Sequence, residues 1–127
     1  MKKQVVKVII TKNIDYEIMY ELYKENGWIK PEKKINFSLM KKIVDNSFCF
    51  AGAYLDNKLI GMGRVLSDGV SDAYIQDVTI LKKFRAQGIG GKIISTIIKY
   101  LKQKKLAGFR LLQNLKRMVF IINWDSR

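Results

Sequence analysis

The sequence predicts an α/β domain of the α+β kind: a mixed, mostly antiparallel sheet flanked by helices. Three observations predict it. Short β-branched segments with a period of two are interleaved with amphipathic segments whose apolar residues recur every three to four positions. The middle of the chain, Phe48 to Leu66, reads as a hairpin around Asp56-Asn57 rather than as a strand–helix–strand unit, which disfavours a doubly wound parallel sheet. Finally, 127 residues at 48% hydrophobic, with one proline and nine glycines, suit one domain, 1–127, with a sizeable core and no disordered or low-complexity stretch.

Gln4 to Ile10 (QVVKVII) is rich in β-branched residues and predicts the first strand. Asn13 or Asp15 then caps a helix with Ile18, Met19, Leu22 and Tyr23 on one face, and Gly27 ends it. A second helix spans about Asn36 to Asp45, with Leu39, Met40, Ile43 and Val44 as its apolar face. After the hairpin, Ser67 to Gly69 forms a turn and Ala73 to Leu81 (AYIQDVTIL) a further strand. Beyond Arg85 the stripe Ile89, Ile93, Ile94, Ile97, Ile98 and Leu101 predicts an amphipathic helix, with Lys92, Ser95, Lys99 and Lys102 outside it. Leu106 to Arg117 shows no firm period, and Met118 to Trp124 has the composition of a strand. The predicted order is β, α, α, β, β, β, α.

Several function classes fall away. The chain contains no histidine, which removes His-based hydrolase triads and HExxH metalloproteases. No metal site is expected, since the single Cys49, flanked by Phe48 and Phe50, can neither close an internal disulfide nor join a Cys/His zinc site. It reads as a core cysteine. Lysines break the longest apolar stretch, Ile89 to Leu101, well short of a membrane span, and the N-terminal apolar run is too short for a signal peptide. A cytoplasmic location is expected.

Charge is uneven. Residues 1–81 carry 12 Lys and Arg against 10 Asp and Glu, whereas residues 82–127 carry 12 against one. A surface so biased commonly meets phosphate, in nucleic acid, anionic lipid or a phosphorylated cofactor; a solvated lysine-rich face is the plainer alternative.

The strongest local signal is Arg85-Ala86-Gln87-Gly88-Ile89-Gly90-Gly91-Lys92, between a strand and a helix, with no acidic residue from Lys82 to Lys105. A glycine-rich turn there leaves the first helical N–H groups open to an anion and lets it approach the backbone closely. Close packing of the helix on the sheet is the other reason for glycines at 88 and 90. The spacing is neither a Walker A loop, which ends in GK[ST], nor GxGxxG, because position 93 is Ile.

Arg-x-x-Gly-x-Gly in this setting resembles the acetyl-CoA loop of the GNAT N-acetyltransferase superfamily. The resemblance extends through FAGAYLDNKLIGMGRVLSDG and YIQDVTILKKFRAQGIGGKII, which are similar to the central strands and cofactor helix of small bacterial members, and Tyr20 to Ile29 is similar to their first helix and its exit. It implies acetyl-CoA as acetyl donor and a primary amine, on a small molecule or peptide, as acceptor. It also implies that backbone groups of Val78, Thr79 and Ile80 bond the pantetheine arm. The pyrophosphate would then lie on Arg85, Ala86, Gln87, Gly88, Ile89, Gly90 and Gly91, with Lys92 beginning the helix.

An alkylammonium acceptor must lose a proton before it attacks, so a carboxylate or ordered water is required as base. Asp77 is the first candidate and Asp68 the second, each also explicable as an ordinary surface or turn carboxylate. Trp28, Tyr54, Arg64 and Tyr74 are candidates for lining the acceptor pocket. The family's usual proton donor to the departing thiolate is a tyrosine in a later helix, but here no tyrosine follows Tyr100. Tyr74 becomes the candidate acid. Leu106 to Arg127 does not resemble the family's ending, which suggests a truncated, frame-shifted or divergent C-terminus, impaired turnover, and an unpaired sheet edge that a homodimer or strand exchange would cover.

A reading from another class is a non-catalytic CoA-binding module, or a basic nucleic-acid-binding domain. Nucleic acid has little aromatic support, since only Tyr100, Phe109, Phe120 and Trp124 follow Phe84.

Overall fold

The computed structural model describes residues 5–30, 34–69 and 73–104. Within them the elements are β1 (Val6–Ile10), α1 (Tyr16–Glu25), α2 (Phe37–Asp45), β2 (Cys49–Leu55), β3 (Lys58–Ser67), β4 (Ala73–Ile80), a short 3₁₀ turn (Lys82–Phe84) and α3 (Ile89–Gln103). The order agrees with that expected from the sequence. Met118 to Trp124 lies outside the described residues.

The four strands form one antiparallel sheet in the order β1-β2-β3-β4. Asp56 and Asn57, both with positive φ, make the β2–β3 turn, a conformation these two residue types tolerate better than most. One face of the sheet, with Ala51, Ala53, Ile60, Val65, Ile75, Val78 and Ile80, packs on Ile89, Ile93, Ile97 and Leu101 of α3. The other carries Phe50, Leu59 and Met62 against Met19, Leu22 and Tyr23 of α1 and Met40 and Val44 of α2. The result is a three-layer arrangement, with a sheet between α3 on one side and α1 and α2 on the other.

Local chemistry sets the helix ends. Asp15, not Asn13, caps α1, its side chain accepting from the N–H groups of Glu17 and Ile18, and Gly27 with φ 70° turns the chain out beyond Asn26. Asn36 caps α2 by accepting from the Leu39 N–H at 2.9 Å. Gly63 has a packing role: a Cβ there would lie 2.8 Å from Ile93 Cγ2 and 3.2 Å from Ile97 Cδ1, so α3 sits directly on the β3 backbone.

Candidate active site

The site is built around an irregularity in β4. Met62 pairs with Thr79 and Arg64 with Gln76, so Asp77 and Val78 together stand opposite the single residue Gly63. This is a β-bulge, and its first residue, Asp77, has φ 55° in the left-handed region. The bulge shifts the alternation of side chains by one. Ile75 faces α3 and the bulge brings Val78 to the same face, while Asp77, which strict alternation would place with Ile75, faces α1.

There Asp77 is 8% exposed and bonded through one oxygen: Oδ2 accepts from the Tyr23 hydroxyl at 2.7 Å and from Arg64 Nε at 2.6 Å. Among the described residues no hydrogen bond falls on Oδ1. Arg64 also donates from Nη1 to Ser47 Oγ at 3.4 Å, and Ser47 donates to the Ile43 carbonyl at 2.6 Å. Burial, and then the neighbouring Asp77 charge, push the Tyr23 phenol far above its usual range, so it is a fixed donor at ordinary pH. Trp28 packs edge-on against the Tyr23 ring, with centroids 5.4 Å apart.

Two further bonds link the end of α1 to β4 and its exit. Asn26 Nδ2 donates to Thr79 Oγ1 at 2.6 Å as well as to the Leu22 carbonyl at 2.7 Å, and Glu25 Oε1 accepts from the Lys82 N–H at 3.2 Å. Tyr23, Glu25 and Asn26 therefore bond Asp77, Lys82 and Thr79 in turn. Sequence reasoning did not find these bonds. Each joins residues more than fifty positions apart, and the only local signal was the helical period that marked Tyr23 as core.

The glycine loop follows. Ala86 has φ 64° and Gly88 φ 78°, so two of three consecutive loop residues have left-handed backbone. Residues 86–88 are exposed. A Cβ at Gly88 would meet nothing within 4 Å, so this glycine serves conformation and not helix packing. Gly88 is also the N-cap of α3 and has no side chain to satisfy the first N–H groups of Ile89, Gly90 and Gly91. The helix thus begins at Ile89, three residues before Lys92, and its dipole adds positive potential at the loop.

Two cations assigned to phosphate from the sequence have backbone partners. Arg85 Nε donates to the Ile80 carbonyl at 2.9 Å, tying the loop to the end of β4, and Lys92 Nζ donates to the Val6 carbonyl on β1. Val78, Thr79 and Ile80 are buried, on a strand that pairs with β3 alone among the described residues. Tyr74 is half-buried opposite Leu66, three residues before Asp77 and so about 10 Å along the strand. Asp68 is exposed beyond the end of β3, away from the bulge in sequence and in the ladder. Tyr54 packs on the α1 side of β2, in the same apolar cluster as Trp28.

An antiparallel sheet with a bulge in its fourth strand, leading through a glycine loop into a helix, defines an acyl-CoA N-acyltransferase type of architecture. The chain belongs to the acetyltransferase (GNAT) family, whose model matches residues 15–118 and so runs past Lys105 into the segment where the sequence by itself showed no likeness. It is 36% identical over 85 residues to the uncharacterized N-acetyltransferase ycf52 of Gracilaria tenuistipitata var. liui, covering 63% of this chain and 44% of that one. To the ycf52 protein of Pyropia yezoensis it is 31% identical over 101 residues, 79% of this chain and 58% of the relative. The chain thus spans about half the length of the curated relatives it matches. Among solved structures, a probable acetyltransferase from meticillin-resistant Staphylococcus aureus superposes with a TM-score of 0.64 at 26% identity, over 94% of this chain and 80% of that one.

Proposed function

We propose that the chain is an N-acetyltransferase domain that transfers acetyl from acetyl-CoA to a primary amine. The observation that carries this is the juxtaposition of the bulged strand β4 with an exposed, acid-free glycine loop at the N-terminus of α3. Residues 85–91 would hold the pyrophosphate and Val78–Ile80 the pantetheine arm. Support comes from family membership and from a fold shared with an aminoglycoside N-acetyltransferase solved in complex with CoA, at TM-score 0.66 and 13% identity.

In this reading the amine nitrogen attacks the thioester carbonyl, the carbon–sulfur bond breaks and CoA leaves as thiolate, while the amine's proton passes to a base. Asp77 is the base we favour, because Arg64 and Tyr23 fix the carboxylate through Oδ2 and Oδ1 remains to accept the proton, directly or through water. Tyr74, on the same strand, is our candidate donor to the thiolate. Thiols are acidic enough, with a reference pKa of about 8.5, for CoA to leave even without a strong acid.

We further propose a cytoplasmic location. Among the described residues no helix is long and apolar enough to cross a membrane. A homodimer is also part of the proposal.

The alternative is a basic nucleic-acid binder. Acetyl-CoA should raise the melting temperature by mass action, and CoA thiol should be released when an acceptor amine is added. Binding to DNA or RNA with a steep salt dependence, and no thermal shift with acetyl-CoA, would favour the alternative.

A further inference from the structure

The last turn of α1 makes three bonds to β4 and its exit, and two of them reach the bulge and the strand segment that follows it. A bulged strand with a non-glycine residue at φ 55° has no regular ladder to hold its geometry at that point, and the backbone there persists only because its surroundings determine it. On the α3 side those surroundings are apolar: Val78 and Ile80 pack on the helix but give no directional restraint. Pairing with β3 resumes at Thr79 and Ile80, opposite Met62 and Gly61, and the directional side-chain restraints come from the other face. Tyr23 and Arg64 hold Asp77, and the Asn26 amide holds Thr79 through a 2.6 Å bond to a fully buried hydroxyl. Asn26 is itself fixed by the Leu22 carbonyl within its own helix.

We infer that Asn26 is a positioning residue for the acyl-CoA arm: by holding Thr79 Oγ1 it sets the orientation of the Val78–Ile80 backbone that the arm would bond. This rests on the proposed placement of the arm along β4. Its consequence is that α1, on the face of the sheet opposite α3, governs affinity for one half of the cosubstrate. The glycine loop governs the other half.

That division makes the inference testable by binding alone. Isothermal titration with CoA is compared with titration by 3′-phospho-ADP, which keeps the phosphates but lacks the pantetheine arm. Asn26→Ala and Thr79→Val are each expected to weaken CoA about tenfold, the effect of losing one well-made hydrogen bond. Both should leave 3′-phospho-ADP unchanged, and Thr79→Ser, which keeps the hydroxyl, should bind CoA as the parent does. The double variant should be no weaker than either single one, because the two residues act through the same bond. Equal losses for both ligands would reduce Asn26 to a structural residue and overturn the inference, as would parental CoA affinity in Thr79→Val. Failure of the parent chain to bind either ligand would instead overturn the cosubstrate reading on which the inference stands.

Discussion

Tyr23 and Asp77 lie 54 residues apart in the chain, and the phenol donates to the carboxylate at 2.7 Å across the α1–β4 interface. The relationship depends on the bulge, since without the extra residue in β4 the Asp77 side chain would project toward the isoleucines of α3. A buried carboxylate against an apolar helix would cost several kcal/mol. On the α1 side it meets a guanidinium and a hydroxyl.

The two partners of Asp77 should differ in what their loss costs. Tyr23→Phe removes a neutral donor to a charged acceptor and leaves Arg64 in place, for an expected destabilisation of about 1.5–3 kcal/mol. Arg64→Ala leaves a nearly buried carboxylate without its countercharge, for about 3–5 kcal/mol. Urea denaturation of both variants checks the order, and an equal or reversed ranking would show that the ion pair is not what holds the bulge.

Two glycines should respond to alanine for different reasons. At Gly63 the new Cβ collides with Ile93 and Ile97, and overpacking should cost about 1–3 kcal/mol. At Gly88 the space is open and the backbone is left-handed, so the cost should be about 1 kcal/mol and purely conformational. Gly88→Asn, which tolerates that conformation better, should recover part of the loss, whereas Gly63→Asn should be worse than Gly63→Ala.

Burial pushes the Cys49 thiol up to about 11 and raises the Tyr23 phenol as well. Both groups are neutral when protonated and ionise more readily in the unfolded chain. Their contribution to stability is therefore whole below about pH 8.5, and it declines as pH rises toward the folded-state value of Cys49. Denaturation midpoints measured from pH 7 to 10 should fall toward the alkaline end. At pH 8 the native thiol should react with a disulfide reagent far more slowly than the urea-unfolded chain, and comparable rates would contradict the buried placement.

If Asp77 is the base, turnover with an acceptor amine should drop about 10²-fold or more in Asp77→Asn, with the KM for acetyl-CoA little changed. Tyr74→Phe should lower kcat by less, since the thiolate is a competent leaving group. A rate unaffected by Asp77→Asn would pass the proton to water or to another group.

The sequence made the fold legible because its elements are locally consistent. The period-two hairpin with Asp56-Asn57 at its turn, the Asp15 and Asn36 caps, and the isoleucine stripe of α3 each carry their own signal. The glycine loop was legible for the same reason, since left-handed backbone at Gly88 is written into the residue type. The bulge was not. Nothing in AYIQDVTIL shows that two consecutive residues share one place in the ladder, and so the partners of Asp77 and Thr79 were hidden. Arg85 and Lys92 illustrate the same limit: their charge was evident, but their bonds to the Ile80 and Val6 carbonyls depend on which strand ends lie beside the loop.

The most direct test of the account is calorimetric titration of CoA into the chain and into Gly90→Glu, which places bulk and negative charge in the first turn of α3. The parent should show one saturable site per chain and the variant none, at a temperature where circular dichroism shows both folded. Undiminished CoA binding by Gly90→Glu would place the ligand elsewhere and contradict it.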